Sequence, residues 1–212
     1  MQLVIGNQNY SSWSLRPWVL LEHFKQQVQL YKIPLFTHQT QEKMAQLCPN
    51  YKVPVLIDNN IKIWDSLAIC EYLNESYLAG KAWPENTSQR AIARSICAEM
   101  HAGFIALRSE MPMNCRRTPS VINYSEECQK DIDRIIELWQ TCLDNSKSKF
   151  LFDTFSIADA FYLPVVSRFA SYQVEVPEKI KTYMDTMMSL PSYQLWLTAS
   201  IEESEVISSS EV

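Results

Sequence analysis

The sequence predicts two structural units in one chain: a small α/β domain over residues 1–80 and an all-helical domain over residues 87–212. Three observations predict it. Short β-rich runs alternate with helical patterns up to about residue 78. A segment bearing Gly and Pro, Gly80-Lys81-Ala82-Trp83-Pro84-Glu85-Asn86, then breaks the pattern. Beyond it, apolar residues recur at helical spacing.

Leu3-Val4-Ile5 reads as a first buried strand. Tyr10 to Trp13 is polar and turn-like. From Ser14 to Phe24 the residues Leu15, Trp18, Val19 and Leu21 fall on helical spacing. Leu30 to Leu35 reads as a second strand, with a further helix expected before Val53. Val53 to Ile57 and Ile61 to Trp64 are strands joined at Asp58-Asn59-Asn60, where Asn tolerates the positive φ of a tight hairpin. Ser66 to Leu78 turns helical, with Leu67, Cys70, Leu73 and Tyr77 on one face. Two parallel strands joined by a helix, plus an antiparallel hairpin, make a four-stranded mixed sheet. In the second unit the stripes run through Ile92, Ile96, Cys97, Met100, Phe104 and Leu107, then Ile132 to Leu143, Ile157 to Phe169 and Ile180 to Met187. The first of these predicts one helix from Arg90 to Arg108. The Ser- and Glu-rich tail from Glu202 is expected to fray.

Apolar residues make up 47% of the 212, enough for a substantial core. No run of 18 uncharged apolar residues occurs, so no membrane span is expected. Met1 to Gly6 lacks the basic and long apolar parts of a signal peptide. The net charge of −5 comes without a basic stripe, which argues against a nucleic-acid partner. The six cysteines form no C-x-x-C pair and show no metal-ligand spacing, and the three histidines are scattered. No metal site is expected, and the thiols read as reduced residues of a cytoplasmic protein.

Three short segments carry chemistry. In Lys52-Val53-Pro54-Val55-Leu56, Pro54 stands just before an apolar strand. It either opens the strand as an ordinary trans proline or follows a cis Val53–Pro54 bond, which would present the Val53 backbone to a bound peptide. In Trp64-Asp65-Ser66-Leu67, Ser66 caps a helix, a role sufficient by itself. The same place also suits a carboxylate at the free helix N–H groups, with Asp65 beside it for an ammonium. An α-amino acid head group carries both charges. In Asn9-Tyr10-Ser11-Ser12-Trp13-Ser14-Leu15-Arg16, serines cap a helix or donate a hydroxyl hydrogen to a bound thiolate.

In order and spacing these segments resemble the cytosolic glutathione transferase superfamily. Ser11-Ser12-Trp13-Ser14-Leu15-Arg16 is similar to the serine motif of its theta- and zeta-like bacterial members. Lys52-Val53-Pro54-Val55-Leu56 resembles its cis-proline segment, and Asp65-Ser66-Leu67-Ala68-Ile69 its Glu/Asp-Ser-x-Ala-Ile motif. Phe155-Ser156-Ile157-Ala158-Asp159-Ala160 resembles its capping box, in which Ser and Asp three residues apart satisfy a helix start. Arg94 to Phe104 with Met111-Pro112-Met113-Asn114 resembles one bacterial branch. The likeness runs from Leu3 to about Leu197.

The resemblance implies a thioredoxin-like first domain that binds glutathione and a second domain that forms an apolar site for an electrophile. It implies a homodimer joining the first domain of one subunit to the second of the other. It assigns Ser11 to the thiolate, with Ser12 as the close alternative. Val53, before Pro54, would pair its backbone with the cysteinyl unit; Asp65 and Ser66 would hold the γ-glutamyl head, and Lys52 would approach the glycyl carboxylate. The electrophile is expected over Trp13, Met100, His101, Phe104 and Arg108. The implied reaction is conjugation of glutathione, a co-substrate, to electrophilic small molecules. Maleylacetoacetate isomerase-like or peroxidase chemistry and a non-enzymatic binding or stress-regulatory role are the alternatives; Trp13 stands where those isomerases have Cys. Tyr51 replaces the family's usual Gly before the Lys-Val-Pro triplet. Energetically one serine suffices. A thiol of pKa about 8.5 is about 3% ionised at pH 7. Lowering it by about two units needs about 2.7 kcal/mol, and one hydrogen bond to a charged group supplies about 1.5–3 kcal/mol.

Overall fold

The computed structural model describes residues 1–212. Four strands, β1 (Gln2–Ile5), β2 (Gln29–Lys32), β3 (Val55–Asp58) and β4 (Ile61–Trp64), form one sheet in the order β2-β1-β3-β4. β1 runs parallel to β2, and β3 pairs antiparallel with β4, as the sequence predicts; the two halves join where β1 pairs antiparallel with β3. Side chains alternate across this sheet. Leu3, Ile5 and Leu56 face the main core, while Val4 and Val55 meet Ile33 and Cys48 in a small second cluster. Asn59 occupies the hairpin with φ 50°. β2 stops at Lys32 rather than Leu35, because Pro34 has no N–H to offer a ladder.

Helix α1 (Ser12–His23) follows β1, α2 (Thr40–Leu47) follows β2, and α3 (Ser66–Ser76) follows β4. After them come α4 (Thr87–Ala102), α5 (Ile105–Glu110), α6 (Glu126–Asp144), α7 (Ile157–Ser171), α8 (Glu178–Met188) and α9 (Pro191–Ile201). α7 is buried from Ile157 to Phe169 and forms the axis of the helical domain. Its start is the predicted box: Ser156 donates both its N–H and its hydroxyl to Asp159 Oδ2, each at 2.9 Å.

Two expectations are corrected. The single helix from Arg90 to Arg108 is broken, since α4 ends at Ala102 and α5 begins at Ile105. Phe104 between them is left-handed, with φ 59°. The turn tucks Phe104 into the core and lets the Arg108 guanidinium donate to the carbonyls of Met100 and His101. That contact satisfies carbonyls left open at the end of α4 and opposes its dipole. Nor does the tail fray. The segment after α9 folds back over the first domain, burying Glu203 and Ile207 and ending in a 3₁₀ turn at Ser208–Ser210. Polar composition suggested a solvated tail; specific partners for its carboxylates hold it instead.

Candidate active site

A cavity of about 840 Å³ opens at the edge of the sheet, lined by Ser11, Ser12, Trp13, Lys52, Val53, Pro54, Asp65, Ser66 and His101 among others. Three loops and the helix starts that follow them deliver all of these but His101, which comes from α4: β1 to α1, α2 to β3, and β4 to α3. The structure therefore brings together residues 11–13, 52–54 and 65–66, which lie far apart in sequence.

The first loop carries the hydroxyls. Ser11 is the N-cap of α1, and its Oγ lies 2.8 Å from Ser14 Oγ. Ser14 Oγ already accepts the Gly6 N–H at 3.1 Å. When Ser14 donates to Ser11, the Ser11 hydrogen is free to point into the cavity. Ser12 Oγ accepts from Arg168 at 3.4 Å and so also keeps its own hydrogen free. Both serines stand at a helix start, where N–H groups favour an anion.

The second loop has the cis Val53–Pro54 bond. Just before it, Tyr51 adopts φ 56°, the left-handed region that Gly enters without penalty. The departure noted in the sequence thus falls on a position whose backbone demands what Gly provides. Tyr51 and Lys52 are both exposed at the cavity rim.

At the third loop Asp65 has φ 76° and ψ 134°, an unfavourable conformation for a residue with a Cβ. It aims the carboxylate two ways. Oδ1 accepts the Leu67 N–H at 2.9 Å, so Asp65, one residue earlier than expected, is the N-cap of α3. Oδ2 meets His101 Nε2 at 3.0 Å, a contact between the two domains. Buried Ser66 Oγ accepts from Arg16 at 3.4 Å.

Beneath the site lie three arginines. Arg16 is sandwiched between the rings of Trp13, 4.2 Å away, and Phe161, 4.5 Å away. Arg108 packs on Trp13 at 4.7 Å. None of Arg16, Arg108 and Arg168 has a carboxylate within ion-pair distance. Burial, then repulsion from the other two, lowers Arg16 to about 9; burial, then Arg108, lowers Arg168 to about 10. All remain cationic at neutral pH and place positive potential behind Ser12 and Trp13.

The expected electrophile residues separate. Trp13 and His101 line the cavity. Met100 and Phe104, 1% and 7% exposed, belong to the core, and half-buried Arg108 lies behind Trp13. The broken helix is the physical reason, since it turns Phe104 and Arg108 away from the wall. Sequence reasoning missed Arg168, whose signal was a charge inside an apolar helical stripe. It also missed Ile207 and Ser210, which line the cavity from the tail.

This site joins a thioredoxin-like sheet domain to an all-helical domain, with a cavity at the sheet edge. Residues 10–76 match the glutathione S-transferase N-terminal domain and residues 122–199 the C-terminal domain. The chain belongs to the glutathione S-transferase family. It is 27% identical over 176 residues to glutathione S-transferase hmp2 of Hypomyces subiculosus, spanning 77% of this chain and 82% of that protein. It is 27% identical to maleylacetoacetate isomerase of Mus musculus over 65% of this chain and 63% of the mouse protein. A glutathione transferase homolog from Burkholderia strain BGR1, solved with bound glutathione, superposes with a TM-score of 0.75 at 21% identity, covering 95% of this chain and 98% of that one.

Proposed function

We propose that the chain binds glutathione in the sheet-edge cavity, stabilises its thiolate at the Ser11–Ser12 turn, and conjugates glutathione through its sulfur to an electrophilic small molecule. The observation that carries this is the convergence of Ser11, Ser12, Val53, Asp65 and Ser66 on one cavity. In this reading Asp65 takes the γ-glutamyl ammonium, Ser66 and the start of α3 take its carboxylate, and the Val53 backbone pairs with the cysteinyl unit. Lys52 serves the glycyl end. The thiol proton goes to solvent, the thiolate forms a carbon–sulfur bond, and the leaving group departs with its electron pair. Trp13 and His101 form the wall nearest the acceptor.

One observation favours a second reading, glutathione-dependent isomerisation of an anionic substrate. The three arginines without carboxylate partners favour negative charge near Ser12, on a carboxylated acceptor or in a transition state. Six free cysteines support a reducing, cytoplasmic setting. Ile61, Trp64 and Ile92, each roughly half exposed, support a homodimer, which light scattering would reveal as twice the chain mass.

Retention on immobilised glutathione and turnover of a chloronitroarene test the proposal. Ser11→Ala is expected to lower turnover about 10-fold or more while glutathione still binds. The same loss at Ser12→Ala alone would move the thiolate to that hydroxyl. Retention without turnover of any electrophile or maleyl substrate would favour a binding protein, and no retention would overturn the reading.

A further inference from the structure

The loop before Ser11 is held by a residue from the far side of the sequence. Glu203 Oε1 accepts the Gln8 N–H at 2.8 Å, and Oε2 accepts the Asn9 N–H at 3.0 Å. Its side chain is only 2% exposed, with Lys32 Nζ at 3.1 Å on Oε1. One carboxylate thus satisfies two successive buried backbone donors, a charge-assisted pair that fixes the direction of the chain as it leaves Asn7.

The rest of the tail is anchored around the same loop. The Arg116 guanidinium donates to the Glu203 carbonyl, to the Glu205 carbonyl at 2.8 Å and to Tyr10 Oη at 2.9 Å. Tyr10 Oη in turn donates to Glu211. Asn9 is clasped from the second domain, its Nδ2 donating to Asn114 Oδ1 at 2.9 Å and its Oδ1 accepting from the Arg116 N–H at 2.9 Å. Ser11 and Ser12 follow directly, with no slack between the clasp and the helix start.

We infer that Glu203 is a positioning residue for the Ser11–Ser12 turn, so that the segment after α9 belongs to the working site. The inference rests on the reading of that turn as the thiolate-stabilising element. Glu203 touches neither the cavity nor a reacting atom; it acts by fixing where the two hydroxyls point. Misplacing a reacting group by about 1 Å costs on the order of 100-fold in rate. The contacts assigned to the rest of glutathione come from other loops and do not depend on this clasp.

Glu203→Gln tests this, because it keeps the shape but sets an amide donor against a backbone donor. Turnover of glutathione with a chloronitroarene is expected to fall about 10-fold or more, with KM for glutathione changed less than about 3-fold. The alkaline shift of the rate profile should be roughly half a pH unit or more, because the thiolate loses its donor. Amide exchange in residues 7–13 should rise about 10-fold or more. Glu205→Gln, which leaves both N–H contacts and the Lys32 pairing with Glu203 in place, should change none of these. Should Glu203→Gln lack a cooperative melt, Arg116→Met loosens the same segment and should raise exchange at 7–13 about 3-fold or more. Unchanged exchange and rate profile in the folded variant would overturn the inference. A wild-type protein without glutathione turnover would instead sink the functional reading, while the exchange measurement would still decide the clasp.

Discussion

His101 links the two domains through one proton. Its Nε2 is 3.0 Å from Asp65 Oδ2, and its ring stands edge-on to Trp13 at 5.1 Å. Burial, helped by Arg16 and Arg108, lowers its pKa below the usual 6.5 despite the nearby Asp65. Near pH 7 the imidazole is therefore neutral, donates Nε2–H, and leaves the Asp65 charge for an ammonium. As pH falls through the lowered value, imidazolium forms and competes for that carboxylate. KM for glutathione is expected to rise on the acid side, below the ordinary histidine value of 6.5, and His101→Asn should remove the rise. A flat wild-type profile would refute the pairing. The same sign holds for stability: the neutral form favours folding above the ordinary histidine value, and that contribution is lost as pH falls. Family resemblance assigned Asp65 to the glutathione site and His101 to the electrophile site, but nothing in their spacing of 36 positions indicated that they touch. Tyr51 was legible as an oddity, and only the backbone angle shows why.

Among the elements, α7 carries the largest testable stake. Asp159 is fully buried and accepts three hydrogen bonds, from Leu151 N–H at 3.0 Å and from both donors of Ser156. Asp159→Ala leaves those donors without a partner and should cost about 3 kcal/mol in a denaturant titration. Burial outweighs these bonds and raises the Asp159 pKa to about 6, above the ordinary 3.8. The folded state then holds its proton longer than the unfolded state, so this residue lowers stability as pH rises through about 4 to 6. That slope should vanish in Asp159→Ala. The box was readable because capping is local in sequence. The break between α4 and α5 was not, since the apolar stripe runs through it. Gly103 marks the place: a Cβ there would lie 2.9 Å from the Glu99 carbonyl. Apolar periodicity reports which face is buried and is silent on a turn that keeps the same residues buried.

Across the whole molecule both domains share one core. A single cluster joins Leu3, Ile5 and Leu56 of the sheet to Trp139, Phe161 and Trp196 of the helices. Trp18 of α1 packs against Trp196 of α9 with ring centroids 5.1 Å apart. The two units should therefore unfold together, with far-ultraviolet dichroism and tryptophan fluorescence tracing one thermal curve. Two separated transitions would mean the domains stand alone. The sequence showed two units because composition and period change at the linker. It did not show their union, since a stripe carries no mark of what it packs against. The Glu203 clasp adds an order in time. Gln8 and its partner lie 195 residues apart, and a ribosome adds about 5–20 residues each second. The first loop to be synthesised waits roughly 10–40 s for the carboxylate that sets it. During synthesis the nascent chain carries its serines without the clasp, and the loop acquires its working geometry only after all nine helices have been made.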